Sequence, residues 1–215
     1  TLYNTLPLIQ NQGSVLLSIS DLIDQRLSTD TFDNVNLLSG DTCYRGIDGS
    51  AKLVRNDLFL KQLSSFDFLD EYGAIKISDE YWDSIKGDSV LPISFDRINE
   101  INRQGMKKNK TSLSPEWQFL SESQLRLDTY ICHVYHKFQW LLVANIDNGN
   151  RTTGCALYFG HYNTNTPTMC TLQLRRLGGL EKSSIKGTNI ITSNETIVTR
   201  KLQIKSDSIA KLLSS

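Results

Sequence analysis

The side chains that most often carry out chemistry are concentrated between residues 127 and 162. This stretch holds all three histidines of the chain (His133, His136, His161) and two of its four cysteines, among them Cys132. If His136 and His161 faced each other across two strands, their Cβ atoms would lie about 4.5–5.5 Å apart, and both imidazoles could reach one metal ion. Cys132 could supply a third ligand. A structural zinc site uses four ligands at recognisable spacings, which the sequence lacks. We therefore predict a polar site here, with no metal and no cofactor.

The same stretch is predicted to form one long β-hairpin, which would bring these side chains together. Asn148-Gly149 is a strong turn dipeptide, because both central residues of a type I′ hairpin turn need positive φ. A turn centred there places Trp140 opposite Leu157, and it places the two histidines opposite each other further along. One face of the hairpin is then apolar for most of its length and ends in two imidazoles.

A cysteine nucleophile is the second chemistry that the sequence allows. It needs a thiolate with a histidine in reach and a third group that orients the histidine. Cys155 and Cys170 would lie near the hairpin histidines in a common sheet, and Asp147 could orient one of them. A cysteine hydrolase is therefore one of the functions to consider.

The predicted hairpin also resembles part of a known enzyme family. The run WLLVANID (140–147), followed by LYF (157–159), is similar to the histidine and aspartate strands of SUMO-specific cysteine proteases, over roughly thirty residues. The resemblance would imply a cysteine protease. Gln139, however, stands where the family has the histidine before the tryptophan, and no cysteine follows Cys170. The family's Asp-Cys-Gly nucleophile motif is therefore missing, and the cysteine hydrolase stays a second alternative only.

Basic residues form a third set of candidates. Residues 1–96 carry 7 Lys/Arg against 15 Asp/Glu, a net charge of −8, whereas residues 97–215 carry 16 against 8, a net charge of +8. Lys107, Lys108 and Lys110 cluster in one predicted loop, and Arg175 and Arg176 form another basic site. Such clusters bind phosphates or acidic partners without reading sequence. Alternatively, the two halves of the chain face each other and neutralise their charges.

The rest of the chain shows local signals for short elements. Serines precede several predicted helices as N-caps (Ser14, Ser78, Ser114), and Asp48-Gly49 marks a short hairpin. Helices are predicted at 14–27, 57–66, 79–86 and 207–213, with further short helices near Phe95 and at Ser114-Pro115. The predicted hairpin spans 42–55, and further strands are predicted at 73–77, 169–176, 189–192 and 196–204.

These elements predict an α+β protein. We expect an antiparallel sheet of about five strands in the C-terminal half, built on the hairpin at 127–162, with short helices mainly in the N-terminal half. The 215 residues are expected to form a single domain, with 105–113 as the boundary if the chain divides. The longest apolar run is only residues 140–144, so no membrane-spanning segment is predicted.

Composition and motifs together favour binding over catalysis. Four irregularly spaced cysteines suit a reducing compartment, so we expect an intracellular protein, nuclear or cytoplasmic. Phosphate-binding glycine loops and a serine-nucleophile elbow are absent from the sequence. We expect a non-enzymatic interaction module, or scaffold, that binds a protein partner in an assembly. A nucleic-acid-binding module that uses the basic half is the first alternative.

Overall fold

A long strand, β2 (Asn36–Arg45), lies at the centre of the main sheet of the computed structural model. The structure describes residues 14–30, 36–57, 74–104, 112–138, 163–174, 195–197 and 199–201. Five antiparallel strands follow the order β4-β6-β2-β3-β5, and a sixth pairs in parallel with β2. The other five are β3 (Ala51–Val54), β4 (Ile75–Lys76), β5 (Val90–Ile93), β6 (Thr168–Leu174) and β7 (Glu195–Ile197). The prediction of an α+β fold with an antiparallel sheet is confirmed.

The hairpin of β2 and β3 turns at Asp48-Gly49, as the sequence predicts. Gly49 has a φ of 80°, which a residue with a side chain adopts at a cost. The Asp48 carboxylate accepts hydrogen bonds from the backbone N–H and the hydroxyl of Ser50, at 2.9 and 2.7 Å. These bonds lower the pKa of Asp48 and fix the turn.

The first helix begins later than predicted. Residues Ser14–Leu16 form strand β1, which pairs with β8 (Thr199–Lys201), and helix α1 spans Ile19–Ser28. Its N-cap is Ser18 and not Ser14. Ser18 accepts from the N–H of Asp21 at 3.1 Å, and the Asp21 carboxylate accepts from the N–H of Ser18 at 3.2 Å. This reciprocal capping box outweighs the apolar stripe that extends further back along the chain.

Three further helices start where the sequence predicts. They are α2 (Asp79–Ser84), α3 (Phe95–Gln104) and α4 (Pro115–Ser121). Ser78 caps α2 through the N–H of Tyr81 at 3.2 Å, and Ser114 caps α4 through the N–H of Trp117 at 3.4 Å. Pro115 at the first position of α4 costs no hydrogen bond there.

The predicted first strand of the long hairpin is wrong, because residues 127–138 belong to helix α5 (Gln124–Phe138). Leu127, Tyr130, Ile131 and Val134 are all buried, at the i, i+3, i+4, i+7 spacing of one helix face. The N–H of Arg126 bonds to the hydroxyl of Ser123, which precedes the helix. The strands therefore do not start from a hairpin in the C-terminal half, and four of the six strands of the main sheet come from residues 36–93.

Strand β6 agrees with the predicted strand at 169–176 within two residues at each end. The single strand predicted at 196–204 is instead two short strands, β7, which pairs with β2, and β8, which pairs with β1. The Asn148-Gly149 turn, the predicted strand at 189–192, the predicted helix at 207–213 and most of the predicted helix at 57–66 lie outside the described residues.

Helices α1, α3, α4 and α5 contribute to an apolar core on one face of the sheet, whereas α2 packs on the other face. Apart from Leu17, its buried members come from these four helices and from strands β2, β3, β5 and β6, and Trp117 of α4 is fully buried. A second cluster, with Tyr44, Ile75 and Met169 among its members, lies where α2 packs. In the part of the chain that the structure describes, no helix is both long and apolar enough to cross a membrane.

Candidate functional site

The predicted site residues are only partly within the described chain. Cys132 is exposed on α5, and His136 belongs to the same helix. The strand register that paired His136 with His161 is wrong, because helical burial of Leu127, Tyr130 and Val134 replaces the strand. The remaining predicted site residues lie outside the described residues: His161, Lys107, Lys108, Lys110, Arg175 and Arg176. Their roles stay predictions. Within the described ranges, no group of three or more His, Cys, Asp or Glu side chains could hold a metal ion.

Among the described carboxylates, Asp41 has a strongly raised pKa, and a bulge in β2 determines its position. Leu38 pairs with Gln173 of β6, whereas the next pair joins Thr42 to Thr171, so β2 carries extra residues between them. The Ser39 hydroxyl donates to the Leu172 carbonyl at 3.0 Å across this gap. A bulge redirects the side chains that it contains, and here it brings Asp41 next to two other chain segments.

Asp41 joins three segments while fully buried. One carboxylate oxygen accepts from the N–H of Ile19 at 2.7 Å, at the start of α1, and the other accepts from the N–H of Asn56 at 2.8 Å, after β3. Burial raises the pKa of Asp41 to about 6, although these two backbone bonds lower it. The group titrates close to neutral pH, but both of its oxygens are used to position backbone. Asp41 therefore serves mainly to hold these two backbone segments in position.

Charged and polar side chains surround this position, and together with Asp41 they form the Asp41 cluster (Ser20, Asp41, Arg55, Asn56, Glu122). Glu122 accepts from the Ser20 hydroxyl at 3.0 Å and from the Arg55 guanidinium at 3.2 Å. The guanidinium lies 4.5 Å from the centre of the Phe119 ring. Asn56 and Glu122 have φ of 50° and 60°, and among the described non-glycine residues only these two are positive. Backbone strain is thus concentrated in this cluster.

Two other buried acids are held by specific partners. Asp57 accepts from the Thr42 hydroxyl at 2.6 Å and from the Tyr44 phenol at 2.5 Å. Burial, followed by the Asp57 charge, raises the pKa of Tyr44, so the phenol keeps its proton and donates. Burial would raise the pKa of Glu116, but hydrogen bonds from Arg97 and Ser114 outweigh it and lower the pKa. These contacts also stabilise the fold.

Two highly exposed leucines lie in the sequence close to the starts of α4 and α5. Leu113 and Leu125 are 75% and 77% exposed, the highest values among the large apolar side chains that the structure describes. Each is the chain neighbour of a residue in one polar junction. The Gln124 amide donates to the carbonyl of Ser112 at 3.0 Å, to its hydroxyl at 3.1 Å and to Asp128 at 3.0 Å. We call Ser112, Leu113, Gln124 and Leu125 the leucine surface.

The polar junction holds the leucine surface in place. The Ser112 hydroxyl also donates to the Asp128 carboxylate at 2.5 Å, and the Gln118 amide donates to the Ser112 carbonyl at 3.0 Å. The segment before α4 is thereby tied to both helices. Two aliphatic side chains on a braced frame can be buried by a partner with little loss of backbone freedom.

The sequence contains one signal for this surface that depends on recognising helix α5. In α5 the buried face is formed by residues 127, 130, 131 and 134, and Leu125 lies on the opposite face of the helical wheel. A leucine on the polar face of a helix can be identified once the helix is recognised. Leu113 gives no such signal, because its exposure depends on how α4 and α5 meet.

Comparisons with known proteins bear on the fold. No protein-family model and no curated protein matches the sequence. One solved structure, a protein of Nanoarchaeota in which the C-type lectin fold accommodates massive sequence variation, is similar over 80% of this chain and 81% of its own. Its TM-score is 0.53 and its sequence identity is 13%. At that identity the similarity shows an α+β fold related to the C-type lectin fold, and nothing about activity.

Proposed function

We propose that this chain is a non-enzymatic interaction module that binds a protein partner through the leucine surface. The observation that carries the proposal is the exposure of Leu113 and Leu125 on a junction that hydrogen bonds hold in place. A single exposed leucine is ordinary on a protein surface. Two highly exposed leucines beside one hydrogen-bonded junction are more typical of the centre of a binding interface than of a surface that stays in contact with water.

The gain from covering these residues is large enough to matter. Fully burying a leucine side chain contributes roughly 1.5–3 kcal/mol, and a difference of about 1.4 kcal/mol is a factor of ten in an equilibrium constant. The two leucines together would therefore change a dissociation constant by on the order of a hundredfold or more. Because the hydrogen-bonded frame exists before binding, little of this gain is spent on ordering the surface.

The chemistry of the partner follows from the neighbouring sequence. Lys107, Lys108 and Lys110 precede Leu113 by a few residues, so a basic segment adjoins the leucine surface along the chain. An acidic segment with exposed apolar side chains would complement both features. We place the complex inside the cell, in the nucleus or the cytoplasm, where the thiols stay reduced.

The related fold supports a binding role. In the Nanoarchaeota protein, the C-type lectin fold accommodates massive sequence variation. A framework that tolerates such variation can present different surfaces on one scaffold. A binding module uses this property directly, whereas a catalytic site needs a fixed set of groups.

Affinity capture from a lysate of the source cells tests the proposal. The tagged wild-type chain is compared with a Leu113→Ser/Leu125→Ser double variant and with Ile47→Ser, a matched control on the exposed β2–β3 turn. We expect a partner protein whose capture falls at least tenfold with the double variant and is unchanged with the control. Thermal melting of the wild type and the double variant should agree closely, because both leucines are highly exposed; Ile47 is 48% exposed, and its variant is compared at a temperature where it is folded. Equal capture by the wild type and the double variant would contradict the proposal.

A nucleic-acid-binding module is the second candidate, and the excess of eight positive charges in residues 97–215 favours it. Phosphate contacts would come from the lysines at 107, 108 and 110 and the arginines at 175 and 176. The same capture experiment separates the candidates. Material that nuclease treatment removes, and that the leucine substitutions leave unchanged, would support nucleic-acid binding.

A further inference from the structure

Two cysteines face each other at the centre of the main sheet. The antiparallel register of β2 and β6 places Cys43 directly opposite Cys170. Both side chains belong to the face of the sheet that the helical core covers, whereas the next residues in each strand, Tyr44 and Met169, pack in the second cluster. The two thiols therefore share a face as well as a register position.

The two sulfur groups interact and differ in exposure. Cys43 is fully buried, and Cys170 is partly exposed. Burial is the largest cause that raises the pKa of the Cys43 thiol, and a hydrogen bond with Cys170 raises it further. Cys170 is thus the more exposed residue of the pair, and Cys43 lies beside it on the neighbouring strand.

The backbone geometry suits a covalent bond between them. Directly opposed residues of antiparallel strands have Cα atoms about 4.5–5.5 Å apart, which is inside the range of roughly 4.4–6.8 Å found for disulfides. The Cβ atoms of opposed residues lie about 4.5–5.5 Å apart, against roughly 3.5–4.5 Å in a disulfide, so bridging needs side-chain rotation and a small approach of the two strands.

We propose that Cys43 and Cys170 form a dithiol that closes to a cross-strand disulfide when it meets a low-molecular-weight disulfide such as oxidised glutathione. The Cys170 thiolate attacks one sulfur of the oxidant, which forms a mixed disulfide and releases one glutathione thiolate. The Cys43 thiolate then attacks the Cys170 sulfur and releases the second glutathione. Two protein thiols lose two electrons and two protons, and the oxidant takes up both as two glutathione thiols.

Closure would link the two central strands of the sheet. Cys43 and Cys170 are 127 positions apart in sequence, so the disulfide would close a long loop in the unfolded chain. Long closed loops restrict the unfolded ensemble strongly, which stabilises the folded state. Oxidation would therefore raise the melting temperature of the protein, by roughly 10 °C for a chain of this size.

The test uses the full chain with Cys132→Ser and Cys155→Ser, which leaves only the facing pair of the four cysteines. After incubation with oxidised glutathione, intact mass spectrometry should show the loss of two hydrogen atoms and no bound glutathione. Digestion without reductant should yield one linked pair of peptides containing residues 43 and 170. The melting temperature should rise, and dithiothreitol should return it to its starting value.

Two variants distinguish the roles of the cysteines. With Cys43→Ala added, one glutathione should remain on Cys170, because the second thiol is missing. With Cys170→Ser added instead, Cys43 should stay unmodified, because it is buried; this variant covers the case in which the Cys43 substitution prevents folding. Stable glutathione on Cys170 while Cys43 is present, disulfide-linked dimers, or two unreacted thiols would each overturn the proposal.

Discussion

Asp41 holds backbone from the start of α1 and from the end of the β2–β3 hairpin, with no exposure to solvent. Its pKa lies near 6 because burial disfavours the charged form. An unfolded aspartate has a pKa near 3.9. The free energy of unfolding must therefore depend on the proton at this one side chain.

We predict that the stability contribution of Asp41 is largest at low pH. A folded pKa above the unfolded value means that the folded state binds more protons between about pH 4 and pH 6. The contribution is fully present below the unfolded pKa and is lost as the pH rises through about 6. The advantage of the wild type over Asp41→Asn in free energy of unfolding should shrink by roughly 2 kcal/mol from pH 4 to pH 7.

Denaturant unfolding of both proteins across this pH range measures the effect. Other carboxylates titrate alike in the two proteins and cancel in the difference. Asp41→Asn should also destabilise the protein at every pH, because the amide nitrogen that replaces one carboxylate oxygen cannot accept the N–H of Ile19 or Asn56. A difference that stays constant with pH would mean that Asp41 titrates normally.

At the level of the helices, an ion pair links α3 to α4. The Arg97 guanidinium of α3 donates to both carboxylate oxygens of Glu116 in α4, at 2.8 and 3.0 Å. Glu116 is only 3% exposed, so its charge depends on this pair. In the sequence, α3 precedes the basic segment at 105–111 and α4 follows it. The ion pair joins the two helices directly.

Replacing Arg97 should therefore destabilise the protein. We expect Arg97→Ala to lower the free energy of unfolding by about 2–3 kcal/mol, because it leaves a buried carboxylate without its cation. Arg97→Lys should restore only part of this stability, since an ammonium group cannot form the paired hydrogen bonds. Chemical denaturation measures both changes.

Glu100 provides the matched control for this prediction. It also bonds to Arg97, at 3.1 Å, but its side chain is 45% exposed. Glu100→Ala should change stability by no more than about 0.5 kcal/mol, as for other exposed helical pairs. If Glu100→Ala and Arg97→Ala had equal effects, the Glu116 pair would contribute no more than an ordinary surface contact.

The elements that can be predicted from the sequence are those determined by a few neighbouring residues. The caps at Ser78 and Ser114 and the Asp48-Gly49 turn need only local hydrogen bonds or a positive φ. Helix α5 is harder to predict because Tyr130, Cys132 and Val134 alternate like a strand, while Leu127, Tyr130, Ile131 and Val134 have helical spacing. Both patterns are present, and packing against the core selects the helix.

The candidate sites are less accessible to prediction than the helices. Asp41 meets the backbone of Ile19 and Asn56, 22 and 15 positions away. Cys43 meets Cys170 by pairing of β2 with β6, more than a hundred residues further along the chain. No local motif encodes such a contact. The exposure of Leu113 likewise depends on the junction with Gln124 and Asp128, and thus on tertiary structure.

At the scale of the whole molecule, two ion pairs connect the acidic half of the chain with the basic half. Arg126 bonds to Asp24 at 2.9 Å, and Arg55 bonds to Glu122 at 3.2 Å, so each pair connects the acidic half with the basic half. All four side chains are partly exposed, and such pairs contribute little to stability.

We predict that neutralising the three lysines of the basic segment affects binding and not folding. The Lys107→Gln/Lys108→Gln/Lys110→Gln variant should bind the captured partner or random duplex DNA more weakly. Its salt dependence should be flatter, by up to about one unit of slope for each phosphate that a lysine no longer neutralises. Its melting temperature should match the wild type. A Lys76→Gln/Lys86→Gln variant, with two exposed lysines of the acidic half, is the control and should leave both quantities unchanged.

A lower melting temperature for the triple variant, together with destabilisation of the wild type by high salt, would show instead that the basic segment serves the fold. Binding and melting measured across the same salt series separate these outcomes.

The position of β2 between β3 and β6 also has a consequence during synthesis. Its first neighbour, β3, follows within a few residues, but 122 residues separate Arg45 from Thr168 at the start of β6. At about 5–20 residues per second, a ribosome needs roughly 6–25 s to make that interval. Throughout that time one edge of the central strand, with Leu37, Leu38 and Cys43, is available to other unpaired strands. The nascent chain therefore depends on a chaperone, or on low local concentration, until its sixth strand emerges.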